Sequence, residues 1–326
     1  MRARRTHWIA AGLAGAALLL AAAGGGLLWN LRAQTLPPPV AAAPNAPPLP
    51  APEGGLRVFH LGHSLVGRDM PAMVEQLARF ARVRGHEHHS QLGWGTSLRE
   101  HWEPDVPING FEAENAHPRF RPAREALATG AYDVVVLTEM VELRDAIRWH
   151  ASPDYFPRWV AAARAANPAV RVYLYKSWHN LEHPEGWLPR LERDPAALWQ
   201  AHLLGPAWAD PALGPVHAIP VADVLAELTR RLAAGGGVAG LRSPADLFAR
   251  NPDGTLDTIH FNDQGLYLVA LTHFAVLYHR SPLGLPHALR RADGRPAQAP
   301  SRAAADLMQR LVWDVVRGHP LTGVPG

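Results

Sequence analysis

Cysteine is absent from all 326 residues. Its absence excludes disulfide bridges, thiolate metal centres, a cysteine nucleophile and a lipid anchor attached through cysteine. Acidic residues are missing from one stretch: positions 1–34 hold no Asp or Glu but contain Arg2, Arg4, Arg5 and Arg32. The formal charge of +3 belongs to that stretch, because removing its four arginines from the 32 basic residues leaves 28 against 29 acidic ones, or −1. A nucleic-acid surface therefore gets no support from charge. No internal repeat occurs. Gly235-Gly236-Gly237 lacks the Lys-Ser/Thr of a phosphate-binding loop and reads as a helix stop. The 18 histidines include His86, His88 and His89, but neighbours on a strand face opposite ways, so no metal site or cofactor is assigned.

What is present begins with Arg2-Ala-Arg-Arg, followed by an uncharged Ala/Leu/Gly segment from Trp8 to Trp29. A run of that length is enough to cross a bilayer as a helix, and basic residues on its N-terminal side keep that end in the cytoplasm. Residues 1–33 are expected to be an export signal retained as an anchor, with Ala21-Ala22-Ala23 as the alternative cleavage region. The remainder would then be periplasmic or extracytoplasmic, held to the inner membrane by residues 8–29. Residues 34–55 are mostly Pro and Ala, which favours an extended, semi-rigid spacer. A folded domain is expected over 56–326, and 48% hydrophobic content is ample for its core.

Within that domain, apolar strands alternate with helical spacing. Leu56 to Leu61, His88 to Trp94, Tyr132 to Leu137, Val170 to Tyr175 and Val216 to Pro220 read as strands. Helices are expected from Met70 to Arg84, Tyr155 to Ala166, Val221 to Ala233, Gln264 to Tyr278 and Ala303 to Val316. This alternation implies a three-layer α/β/α sandwich with a mainly parallel sheet, whose ligands bind beyond the carboxyl ends of the strands. Ser64, Gly95, Glu139 and His179 each follow a strand, so they should gather on one edge.

Asp257-Thr-Ile-His260 places a carboxylate and an imidazole in a segment expected to be a loop before a helix. Such an acid orients the ring while the other ring nitrogen faces a reactant. Ser64, in Leu61-Gly62-His63-Ser64-Leu65, supplies the missing nucleophile, completing a Ser-His-Asp set recognised by roles rather than by order.

With these residues placed, the chain resembles the SGNH (GDSL-type) hydrolase superfamily over most of 56–280. Leu61-Gly62-His63-Ser64-Leu65 is similar to the first block, with His63 where Asp or Asn is usual. Gly93-Trp94-Gly95-Thr96-Ser97-Leu98 resembles the second, whose glycine offers an N–H to the oxyanion; Gly95 is favoured, Gly93 the alternative. Asp257-Thr258-Ile259-His260 resembles the final block. The third block departs: Leu137-Thr138-Glu139-Met140 stands where the family has Gly-x-Asn-Asp with an asparagine oxyanion donor. Thr138 can donate and Glu139, when ionised, only accept, so both are expected to meet substrate, as are Trp94 and His179. Asn109, Asn115 and Asn180 are the substitute donors to consider.

The resemblance implies an exported serine esterase that removes acyl groups, acetyl foremost, from a small molecule or polysaccharide without a cofactor. A sugar hydroxyl in place of water would make it an O-acyltransferase. A membrane-tethered glycan-binding protein without turnover is the alternative of another class. Trp94, Trp102, Trp178, Trp187, Trp199 and Trp208 are expected near the cleft, where aromatic faces suit sugar rings.

Overall fold

Val134–Leu137 is buried at every position, because a β-branched run with no polar interruption fits only a strand covered on both faces. It is the centre of a sheet seen in a computed structural model that describes residues 35–326. The anchor expected over residues 8–29 lies outside them. Among the described residues no helix is long and apolar enough to cross a membrane.

Five strands, β1 (Arg57–His63), β2 (Glu87–Gly93), β3 (Val134–Leu137), β4 (Arg171–Tyr175) and β5 (Val216–Ile219), are ordered β2-β1-β3-β4-β5 and are all parallel. The order reverses beside β1, the switch point where open α/β sheets bind ligands. Register pairs His63 with Gly93 and Leu61 with Leu137, so Ser64, Trp94 and Thr138 leave the sheet at the same edge.

Alternation along the strands divides the core between two faces. Val58, Val134, Val136, Tyr173 and Tyr175 pack in one cluster with the helices Asp69–Phe80, Val221–Ala233, Asp263–Tyr278 and Arg302–Gly318. The opposite face is covered by Ser152–Ala166, whose buried Trp159 donates from Nε1 to the Leu98 carbonyl at 2.9 Å. Burying each such valine contributes about 1.5–3 kcal/mol, so an acid in β3 would be the most damaging single change to the sheet.

Three expectations need correction. The Asp257–His260 segment is not a loop: β7 (Leu256–Phe261) pairs antiparallel with β6 (Phe248–Arg250). The ladder is short, and its residues lack the long apolar run that marked the main strands. The first helix stops at Phe80 rather than running to Arg84, because Arg82 takes φ 61° and Gly85 φ 84°, outside helical geometry. The Pro/Ala-rich stretch is not a free spacer along its whole length, since residues 39–326 form one compact unit. The Asn45 carbonyl accepts from the Val216 N–H at 3.0 Å, Pro47 from His217 Nε2 at 2.8 Å and Pro50 from Arg171 at 2.8 Å. Extended, proline-rich backbone keeps its carbonyls free, and here the outer side of β5 and its neighbours use them.

The stretch from Leu181 to Leu213, dense in Trp and Pro, forms the helix Trp187–Asp194, a π-helix over Pro195–Leu204 and the helix Gly205–Ala209. Its Arg190 is 1% exposed and is held by Glu142 and Asp194.

Candidate active site

Ser64 follows β1 directly, and the glycine before it is a matter of space. A Cβ at Gly62 would lie 2.8 Å from the Thr138 Cβ and 3.0 Å from Val66. Beyond the serine the chain turns sharply, with the Val66 and Gly67 N–H groups donating to the His63 carbonyl at 2.9 and 3.3 Å. Two buried imidazoles fix this turn from below. His63 accepts the Leu65 N–H on Nδ1 at 3.4 Å, and its Nε2 donates to the Glu139 carbonyl at 2.8 Å. His101 donates from Nε2 to the Gly62 carbonyl at 2.8 Å. Burial lowers each to a pKa of about 4 despite these carbonyl bonds, so both rings are neutral.

From the other end of the chain, β7 brings an acid and a ring to the same place. Asp257 Oδ1 accepts the Ile259 and His260 N–H groups at 2.9 Å each, curling the backbone around the carboxylate. That curl lets residues of one strand meet although they are three apart. Asp257 Oδ2 accepts from His260 Nδ1 at 2.8 Å, and His260 Nε2 lies 3.0 Å from Ser64 Oγ. Partial burial pushes the Asp257 carboxyl up, but the two amides and the imidazole outweigh it and hold the pKa below the ordinary value. The loop after β4 braces this segment: Trp178 donates from Nε1 to the Ile259 carbonyl at 2.8 Å and stacks on Phe261 at 3.9 Å. Asn180 donates to the Thr258 hydroxyl at 2.7 Å.

Ser64 and His260 open onto a cleft of about 530 Å³ lined also by His63, Leu65, Trp94, Gly95, Glu114, Val141 and Ile259. Gly95 takes φ 58°, a left-handed conformation costly for other residues, and so turns the second block toward the serine. Trp94 is 54% exposed, and its Nε1 donates to Glu114 at 2.7 Å. Gly93 is different: a Cβ there would strike Thr96 at 2.2 Å, so its smallness serves packing.

The remaining expected contacts are not in the cleft. Thr138 and Glu139 are both 0% exposed. Thr138 lies under Gly62, and Glu139 Oε1 accepts the Leu98 and Met140 N–H groups at 3.1 and 2.8 Å, tying the second block to β3. Burial raises the Glu139 pKa to about 7 against the pull of those bonds and of Ser152. His179 is buried between Trp187 and His183, with its pKa lowered to about 3 by burial first and the Arg190 charge next. Strand ends offer two directions, and all three side chains take the inward one.

None of the substitute asparagines lines the cleft. Asn115 donates to Leu92 and Phe111 carbonyls, and Asn180 to Thr258. Asn109 holds the Trp94 N–H on its own carbonyl. Among the tryptophans of the described residues only Trp94 and Trp178 line an opening beside the serine; Trp187, Trp199 and Trp208 are buried, and Trp102 packs edge-on against Trp159. Leu65, Glu114, Val141 and Ile259 line the cleft without having been singled out in the sequence. Ile259 had a signal, lying inside the Asp-x-x-His block, whereas Glu114 had none.

No protein-family model matches the chain, and no curated protein does. Among solved structures, one described as a GDSL-like lipase from Parabacteroides merdae is 12% identical and covers 74% of this chain and 99% of its own, with a TM-score of 0.42. A carbohydrate esterase family 3 protein from Talaromyces cellulolyticus is 17% identical over 69% of this chain and 97% of its own, TM-score 0.32. An acetyl esterase variant with acetate is 18% identical over 69% and 97%, TM-score 0.36.

Proposed function

We propose that this protein is a serine ester hydrolase working through an acyl-enzyme. The observation that carries the reading is the relay from Asp257 Oδ2 through His260 to Ser64 Oγ, at 2.8 and 3.0 Å. Ser64 Oγ attacks the ester carbonyl while its proton passes to His260 Nε2. Asp257, acceptor-only and kept ionised by two backbone amides, holds the ring and stabilises the imidazolium. The imidazolium returns the proton to the departing alkoxide as the ester C–O bond breaks. Water, deprotonated by the same ring, then releases the acid.

The N–H groups of Ser64 and Gly95 are the oxyanion donors in this reading. An asparagine donor is not among the residues lining the cleft, and one such donor is worth about 3–4 kcal/mol in the transition state. The enzyme is therefore slow on simple activated esters unless substrate binding supplies the difference. The exposed Trp94 ring beside Ser64 supports an acylated glycan, stacking on a sugar face. The basic leader followed by an uncharged segment supports export to the periplasm with retention at the inner membrane.

Fluorophosphonate labelling tests the nucleophile without knowledge of the substrate. Labelling of the wild type and none of Ser64→Ala is expected, together with loss of p-nitrophenyl acetate hydrolysis in the variant. Equal labelling or equal hydrolysis in the two proteins refutes the reading. Transfer to an added sugar hydroxyl in preference to water would assign an O-acyltransferase, and tight glycan binding without labelling a binding protein.

A further inference from the structure

Two openings meet at the Ser64–His260 pair. One is the cleft containing Trp94 and Gly95; the other is a wider trough of about 660 Å³, and Ser64, Leu65, Glu114 and His260 line both. The cleft's other walls include Val141 and Ile259, whereas the trough carries four arginines, Arg68, Arg119, Arg291 and Arg295.

Three of these arginines are committed. Arg119 pairs with Glu75 at 3.2 Å, Arg291 with Asp263 at 2.8 Å and Arg295 with Asp293 at 2.6 Å. The Arg68 side chain makes no hydrogen bond or ion pair among the described residues. The carboxylates of the trough are engaged by others: Asp69 accepts the Ala292 N–H at 2.8 Å, Glu114 the Trp94 indole at 2.7 Å, and Asp293 holds Arg295. The turn after Ser64, with Gly67 at φ 57°, brings Arg68 onto the wall that the nucleophile shares.

We propose that Arg68 binds a fixed negative charge on the alcohol part of the substrate, making the substrate an acylated acidic glycan of the uronate type. The inference rests on the serine-esterase reading and divides the ester between the two openings. Gly95, the oxyanion donor, belongs to the cleft, so the carbonyl oxygen turns that way and the acyl group follows the apolar wall. The alcohol portion then extends into the trough. An acetyl group carries no charge, so the anion that Arg68 meets belongs to the alcohol. A guanidinium matches a carboxylate fork to fork, which a neutral sugar cannot exploit. The covalent step is unchanged: the Ser64 Oγ–acyl bond forms, the ester C–O bond breaks and His260 protonates the leaving oxygen.

The test uses the full-length protein with two probes, an acetylated oligogalacturonide and a neutral acetylated xylo-oligosaccharide. The wild type is expected to prefer the acidic probe in kcat/KM by about tenfold or more, the value of one charged hydrogen-bonding contact. In Arg68→Gln that ratio should fall to about one; in Arg68→Lys, which keeps charge without the fork, it should be intermediate. Rising NaCl should reduce the ratio in the wild type. Calorimetry on Ser64→Ala against Ser64→Ala/Arg68→Gln reads the same preference with no turnover. A wild-type ratio near one, or a ratio that Arg68→Gln does not move, overturns the proposal. Labelling by fluorophosphonate with no acidic preference would remove the anion site alone. Acidic preference in binding without labelling would remove the esterase reading and leave the anion site standing.

Discussion

Acidification should destabilise this protein well above the pH at which carboxylates titrate, because several imidazoles sit where a charge has no solvent. His63, His101 and His273 are each buried, and burial lowers each pKa from 6.5 to about 4, outweighing the carbonyl bonds that favour the charged ring. In the unfolded chain these rings take up protons below about pH 6.5, while in the folded protein they stay neutral until about pH 4. The unfolded state therefore binds more protons in that window, and stability falls as pH falls. Going from about pH 7.5 to about pH 5 costs about 2 kcal/mol per ring, or about 6 kcal/mol for the three. Glu139 opposes them. Its folded pKa of about 7 lies above the ordinary 4.5, so the folded state takes up the proton first and gains about 2 kcal/mol over the same interval. For these four groups the net loss is about 4 kcal/mol, a large share of the 5–15 kcal/mol typical of a folded domain, and His179, held at about 3, adds to it. His60, buried beside His273 and lowered by burial and that neighbour's charge, adds in the same direction. Urea unfolding at the two pH values, followed by tryptophan fluorescence, measures the difference. His273→Leu should reduce the pH dependence by about 2 kcal/mol, and Glu139→Gln should steepen it by a similar amount. Stability that is flat from about pH 7.5 to about pH 5, or an unchanged slope in both variants, refutes the reasoning.

Further outcomes concern the site. Asp257→Asn should leave folding intact while lowering kcat by about 10³–10⁴, since the ring loses its orienting acceptor; a loss below tenfold in a turnover assay would deny the acid that role. Trp178→Phe keeps the ring stack on Phe261 but removes the bond to the Ile259 carbonyl. It should cost about 1 kcal/mol in denaturant unfolding and lower kcat more than it raises KM. Gly95→Ala, forced into φ 58°, should lower kcat/KM at least about tenfold through about 1–2 kcal/mol of backbone strain. Circular dichroism would show the fold retained, and undiminished activity would deny that the conformational freedom of glycine at this position serves the reaction. Trp94→Ala should raise KM for an oligosaccharide ester more than for p-nitrophenyl acetate, and equal effects on both would deny stacking.

The serine, histidine and aspartate were legible because each stood in a short pattern whose meaning depends on order: a glycine before Ser64 at a strand end, and an acid three residues before a ring. The parallel sheet was legible for a related reason, since an unbroken run such as Val134-Val135-Val136 admits few other environments. Side-chain direction at a strand end was not. Thr138, Glu139 and His179 occupy the right edge and point into the protein, and only the packing of Gly62, Leu98 and Trp187 against them decides that. Tryptophan position misled for a similar reason: Trp187, Trp199 and Trp208 share the composition of a sugar platform but are buried. Arg68 shows the converse, because a lone arginine after a turn carries no pattern until the partners of its neighbours are known.

The backbone donors along the outer side of β5 have a practical bearing. The Val216 N–H is met by the Asn45 carbonyl and the Ala218 N–H by the Leu321 carbonyl, so both ends of the folded unit act as borders of the sheet. A recombinant chain started at Leu56, where the first strand begins to show in the sequence, would leave that border half undone and ready to pair with a second molecule. Starting at Pro39 keeps the hem sewn, and any assay of the isolated folded unit should use that boundary.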